Sequence, residues 1–134
     1  MLLIDKLSSK PVYEQIVCGI ERGILLGIYP PGVHLPSVRE QSILLSINPN
    51  TIQKAYTELS RRGIILPSPG SGCFVSNDAK AILHEEAKKK LSNLEGLLQE
   101  LHIAGIQRED ILAAVKDVYE KPSGKSLFMK EETK

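Results

Sequence analysis

Val12, Ile16, Ile20 and Ile24 recur at helical spacing, with Val17 and Leu25 beside that stripe. They predict a first helix from Pro11 to Gly27, because proline suits a first helical turn and glycine suits a stop. The next residues, Ile28 to Pro36, hold three prolines and a glycine. They read as a turn-rich segment that excludes a helix. A second, short helix starts after Ser37 and runs to about Leu45. Ser37 with Glu40 forms the S-x-x-E capping box. After a tight break at Ser46-Ile47, Asn48 caps a third helix whose first position is Pro49. Its apolar face is Ile52, Ala55, Tyr56 and Leu59, and Gly63 ends it. Two short β-like runs follow, Ile64-Ile65-Leu66 and Cys73-Phe74-Val75, with the turn 67–72 between them. Two helices joined by a few residues and followed directly by a hairpin describe a winged helix-turn-helix.

The pattern changes beyond residue 77. Asp78 is a candidate cap for a long helix in which Leu83, Ala87, Leu91, Leu94, Leu98 and Leu101 step by three and four. This is close to a heptad seam. Gly105 breaks that helix, and Glu109-Asp110 opens a last one with Ile111, Val115 and Val118 on one face. Leu112 and Tyr119 lie beside that face. From Pro122 the chain is polar and is expected to be a disordered tail. The expected fold class is therefore mainly α with a small β-hairpin. A winged helix-turn-helix domain spans 1–77, a helical dimerisation segment 78–121, and a tail 122–134.

Composition sharpens this division. The formal net charge of the 134 residues is only +1, which by itself suggests no nucleic-acid partner. That sum averages unlike parts. Residues 1–77 carry 7 basic and 5 acidic side chains, whereas 78–134 carry 10 and 11. No Trp and only 2 Phe and 4 Tyr argue against a platform that stacks single-stranded bases. Cys18 and Cys73 stand far apart with no metal-ligand spacing, and are expected to be ordinary thiols, buried or half-buried. His84 and His102 are not spaced as a helical metal pair. No metal site, cofactor or catalytic constellation is expected, and the length excludes large catalytic barrels. The first residues lack a basic region and a cleavage site, and no stretch reaches membrane-span length. The chain is expected to be cytoplasmic, without a membrane partner.

The chemistry points to double-stranded DNA. The third helix presents Asn50, Gln53, Lys54, Thr57 and Arg61 opposite its apolar face. Asn and Gln can pair bidentately with adenine in the major groove. Residues near the start of a recognition helix reach base edges, which selects Asn48, Asn50, Thr51 and Gln53. Arg39 can reach a guanine edge or a phosphate, and Lys54 a phosphate. The helix start at Ser37 offers N–H groups to a phosphate. Gly70-Ser71-Gly72 lets backbone approach DNA closely. Each of these residues alone has a plain reading as a solvated or capping group; order and spacing carry the argument. A protein-docking winged helix is the competing reading. DNA is favoured if Arg39, Lys54, Arg61 and Arg62 share a face with the wing.

Four signatures stand in fixed order: Pro11-Val12-Tyr13-Glu14-Gln15-Ile16; Leu35-Pro36-Ser37-Val38-Arg39-Glu40; Asn48-Pro49-Asn50-Thr51-Ile52 with Ala55-Tyr56; and Gly70-Ser71-Gly72-Cys73-Phe74-Val75. Over about residues 10–76 the chain resembles the GntR family of winged-helix transcription regulators. The Asn-Pro-Asn-Thr entry and the brief C-terminal region resemble its short YtrA-like subfamily. The resemblance implies DNA contacts at Arg39, Asn48, Asn50, Thr51, Gln53 and the wing tip 70–72. Gln41 and Ser42 replace the family's usual Leu-Ala, Ser46 its turn glycine, and Ser71 its frequent wing Arg or Lys. Pro49 takes the place of a long basic side chain found in some relatives.

One winged helix reads too short a site to be picked out among competing sequences, so a two-fold dimer is expected. The leucine seam and the last helix, with Ile111, Val115 and Val118, are its expected interface. The resemblance implies a repressor of a palindromic operator, in the manner of regulators placed beside transporter genes. A small-molecule effector, unidentified by any residue pattern, has its place between the dimer helices or beside the winged domain.

Overall fold

The computed structural model describes residues 2–121. In chain order the elements are α1 (Val12–Leu25), β1 (His34–Leu35), α2 (Val38–Leu45), α3 (Pro49–Arg61), β2 (Ile65–Ser68), β3 (Gly72–Val75), α4 (Ala79–Lys89), α5 (Leu91–Ile103) and α6 (Arg108–Glu120). The expected tail, 122–134, lies outside the described residues. Among the described residues no helix is long and apolar enough to cross a membrane.

The chain divides into two compact units between Leu83 and His84, six residues past the expected boundary. The first unit owns one core. Ile16, Ile20, Ile52, Leu59, Ile64, Ile65 and Val75 are fully buried in it. The stripe of α1 buries Ile16, Val17, Ile20 and Ile24, while Leu25 stays exposed. Pro11 is the N-cap of α1 rather than part of its first turn. The stripe of α3 buries Ile52, Ala55, Tyr56 and Leu59 against α1 and α2. Ala79 and Leu83 of α4 complete the same core, and this moves the boundary. Leu83, expected as the first residue of the leucine seam, is a buried residue of this core.

The hairpin gains a strand that the turn-rich reading of 28–36 did not foresee. The antiparallel sheet has the order β1-β3-β2, with Leu35 opposite Cys73 and Ile65 opposite Val75. Residues around Val33 are drawn in by hydrogen bonds from Val75 N to Val33 O at 2.9 Å and from Gly32 N to Val75 O at 2.8 Å. Strand β2 runs on through Pro67 and Ser68, farther than expected. It is an edge strand, where a missing N–H is tolerated. The cysteine expectation holds only for Cys73, which is buried; Cys18 is exposed on α1.

Helix ends follow local rules. Helix α3 closes with Ile64 N donating to Leu59 O at 3.0 Å around Gly63, whose φ is +78°. Helix α2 closes by the same pattern, Ile47 N to Ser42 O at 3.1 Å, but around Ser46 at φ 55°. A left-handed conformation is costly for a residue with a Cβ.

In the second unit the single long helix of the sequence reading is interrupted. Lys90 lies between α4 and α5, with its N–H bonded to Ala87 O, one residue short of the α spacing. The Ser92 hydroxyl takes the Lys89 carbonyl at 3.1 Å and so competes with the helical ladder. Helices α5 and α6 contain no buried residue.

Replacing Ser46 with glycine is expected to stabilise the fold by about 0.5–1 kcal/mol, since the turn keeps its geometry and loses the Cβ strain. Urea unfolding of Ser46→Gly beside the parent checks it; an equal or lower midpoint contradicts it.

Candidate nucleic-acid interface

Burying Ile52, Ala55, Tyr56 and Leu59 turns the other side of α3 outward. Asn50, Gln53 and Thr57 are exposed, three and four residues apart, and form one stripe. Gln53 Nε2 donates to Thr57 Oγ1 at 3.1 Å, a solvent-exposed bond that a base edge can replace. Asn48 caps α3 as expected. Its side-chain oxygen accepts from Asn50 N at 2.8 Å, so that oxygen is committed to capping and the NH₂ is left to face a base. Thr51 is half-buried, and its N–H donates to Asn48 O at 3.0 Å.

Beside this stripe lies a groove between α3, the start of α2 and the wing. Gln53, Thr57, Ser60 and Arg61 form one wall, Ser37 and Gly72 line the other side, and Tyr56 and Cys73 also line it. The α2 start is held by the expected capping box: Ser37 Oγ accepts from Glu40 N at 3.1 Å, and Glu40 Oε1 accepts from Ser37 N at 3.3 Å. Arg39 is exposed two residues into this arrangement. Gly70, Ser71 and Gly72 are exposed at the hairpin. A Cβ on Gly72 would stand 3.9 Å from the Ser37 Cα, so the wing base and the start of α2 abut. Burial raises the Cys73 thiol pKa, which keeps it neutral in the groove.

The four cations do not all share the wing's face. Arg61 lines the groove, and its guanidinium bonds the Glu58 carboxylate, Nε to Oε2 at 3.1 Å. This hydrogen bond holds the Glu58 pKa below its ordinary value. Lys54 instead sits with its ammonium 4.0 Å from the centre of the Tyr13 ring on α1, a cation–π contact. Arg62 pairs with Glu21, also on α1. Sequence reasoning placed Lys54 among the DNA contacts without its aromatic partner, and it passed over Ser60. The step from Gln53 to Thr57 to Ser60 was the available signal.

Such a helix-turn-helix, with a three-stranded sheet whose hairpin stands beside the second helix, defines a winged helix-turn-helix. The pattern of the bacterial regulatory proteins of the gntR family matches residues 12–75. The HTH-type transcriptional repressor YtrA of Bacillus subtilis (strain 168) is 40% identical over 119 residues, 88% of this chain and 92% of that protein. A GntR family transcriptional regulator from Listeria monocytogenes has a similar structure, with TM-score 0.69 and 39% identity over 85% of this chain and 98% of that one. YtrA from Sulfolobus acidocaldarius, a GntR-family transcription factor, aligns at TM-score 0.55 and 32% identity over 68% of this chain and 97% of that one. The chain belongs to the GntR family and is a DNA-binding transcriptional regulator, not an enzyme.

Asn50→Ala is expected to weaken binding to the specific site by roughly 1–3 kcal/mol and to relax one base position. Arg39→Ala is expected to weaken binding to every sequence alike, as loss of a phosphate contact does. Competition binding against random duplex separates the two; identical behaviour of both variants contradicts the reading stripe.

Proposed function

We propose that the chain acts in the cytoplasm as a homodimeric repressor of a palindromic operator. In this reading Ser37, Arg39, Asn50, Thr51, Gln53 and the wing 70–72 meet DNA, with Asn48 contributing through its NH₂, whereas Lys54, expected among them, is held on the Tyr13 ring of α1. The observation that carries the dimer is the state of α5 and α6. Leu91, Leu94, Leu97, Leu112, Val115 and Val118 are all exposed, and neither helix buries a residue. Amphipathic helices of three to four turns are marginal without a surface to pack on. A second copy supplies that surface, with the same residues on both sides of a two-fold axis.

Of the expected seam, Ala87, Leu91, Leu94, Val115 and Val118 are exposed, whereas Leu98, Leu101 and Ile111 are half-buried. All eight belong to the proposed interface. Two winged domains related by such an axis read half-sites one helical turn apart, or a multiple of that. Repression is supported by the Bacillus subtilis relative, an HTH-type transcriptional repressor. Control of a transporter operon, and a small-molecule effector held by the dimer helices, rest on the resemblance to short YtrA-like regulators.

Sedimentation equilibrium at micromolar concentration is expected to give twice the chain mass. Leu94→Glu combined with Val115→Glu is expected to give a monomer with the winged domain still folded. A parent monomer that binds its site at full affinity contradicts the proposal.

A further inference from the structure

The residues on which the groove is built include a buried hydroxyl with an unusual task. Tyr56 lies on the core side of α3 at 5% exposure. Its hydroxyl donates to the Pro36 carbonyl at 2.7 Å, across twenty residues of sequence. Pro36 belongs to no helix or strand, and it immediately precedes the Ser37 cap. The neighbouring peptides are tied as well: Leu35 pairs with Cys73 of β3, and Ser37 abuts Gly72 at the base of the wing. Sheet, wing and α3 therefore converge on three consecutive residues, and the phenol is the tie from α3.

We propose that Tyr56 is a positioning residue for DNA binding, whose hydroxyl locks the Pro36–Ser37 peptide to α3. The start of α2, with Ser37 and Arg39, and the stripe Asn50-Gln53-Thr57 then meet the duplex as one rigid body. The inference rests on the reading of this surface as the DNA interface. Deleting the hydroxyl leaves the Pro36 carbonyl without its partner, and the α2 start is free to shift against the reading stripe. Misplacing one phosphate contact weakens binding even where no contacting residue has changed. Burial raises the phenol pKa well above its ordinary value, so the group remains a donor at neutral pH. Gln41 of α2, 6% exposed, is buried near the same phenol and partly offsets the effect of burial on it, but the tie to the Pro36 peptide is made by the phenol itself.

The test compares the full-length parent, Tyr56→Phe and Gln41→Leu. Binding to a random-sequence duplex is measured by fluorescence anisotropy over a range of salt, with thermal unfolding recorded alongside. Tyr56→Phe is expected to bind about three- to tenfold more weakly, the worth of one net hydrogen bond. Its salt slope is expected to be shallower by about one phosphate contact. Gln41→Leu keeps the Tyr56–Pro36 bond and is expected to keep the parent's slope, whatever its melting temperature. In an Arg39→Ala background the hydroxyl should matter much less, because the two residues act as a unit. Unchanged affinity and slope in Tyr56→Phe overturn the proposal. So does an equal loss with and without Arg39, or the same slope change in Gln41→Leu. A parent that binds no duplex even at low salt would instead overturn the interface reading itself.

Discussion

Everything that faces outward on the winged domain depends on the buried stripe of α3. Ile52, Ala55 and Leu59 are wholly removed from solvent, and Tyr56 nearly so. Truncating one such large aliphatic residue to alanine typically costs about 2–5 kcal/mol. That is a large part of the roughly 5–15 kcal/mol that holds a small domain together. Because the helical period is fixed, burying these four positions decides which residues are presented on the opposite side. Asn50, Gln53 and Thr57, the proposed reading face, are turned outward because their neighbours form a core face. The same packing places α3 against α1 and the sheet, and hence beside the wing.

Charge plays a more restricted part than the count of basic residues suggests. Lys54 and Arg62 are turned to Tyr13 and Glu21 of α1, and the Arg61 guanidinium is shared with Glu58. The surface near the groove therefore relies on Arg39, Arg61, backbone N–H groups at Ser37 and the open turn of the wing. Phosphate contacts dominate sequence-independent affinity. A face with few cations thus draws its selectivity from the polar stripe, and the proposed pairing of two copies multiplies it. The formal charge of +1 is consistent with such economy.

The three helices of the winged domain were legible because each carries its own punctuation. The capping box at Ser37, the Asn48-Pro49 start and Gly63 are local signals, and local hydrogen bonds realise them. Strand β1 was not legible: two residues are too short for any periodicity, and His34-Leu35 is extended only because β3 lies beside it. Leu83 fits a heptad and a domain core equally well in sequence, and tertiary packing chose the core. The break at Lys90 falls in a stretch without proline or glycine, where the Ser92 hydroxyl donates to the Lys89 carbonyl, so no breaker residue announced it. Within the candidate site, the stripe on α3 followed from spacing. The direction of Lys54 did not, because Tyr13 lies forty-one residues away. Tyr56 read as an apolar core residue, and its ring behaves as one. The task of its hydroxyl appears only when Pro36 is brought next to it.

One continuous surface, made of the α2 start, the outward face of α3 and the wing, is proposed to meet DNA. Titrating the isotope-labelled chain with duplex from upstream of its own gene, and following its backbone amide resonances, reads that surface residue by residue. The largest shifts are expected on 37–39, 50–61 and 70–73, with the outer face of α1 little changed. Shifts concentrated on α1 or on the exposed Ile43-Leu44 edge of α2, with the stripe and the wing silent, would contradict it.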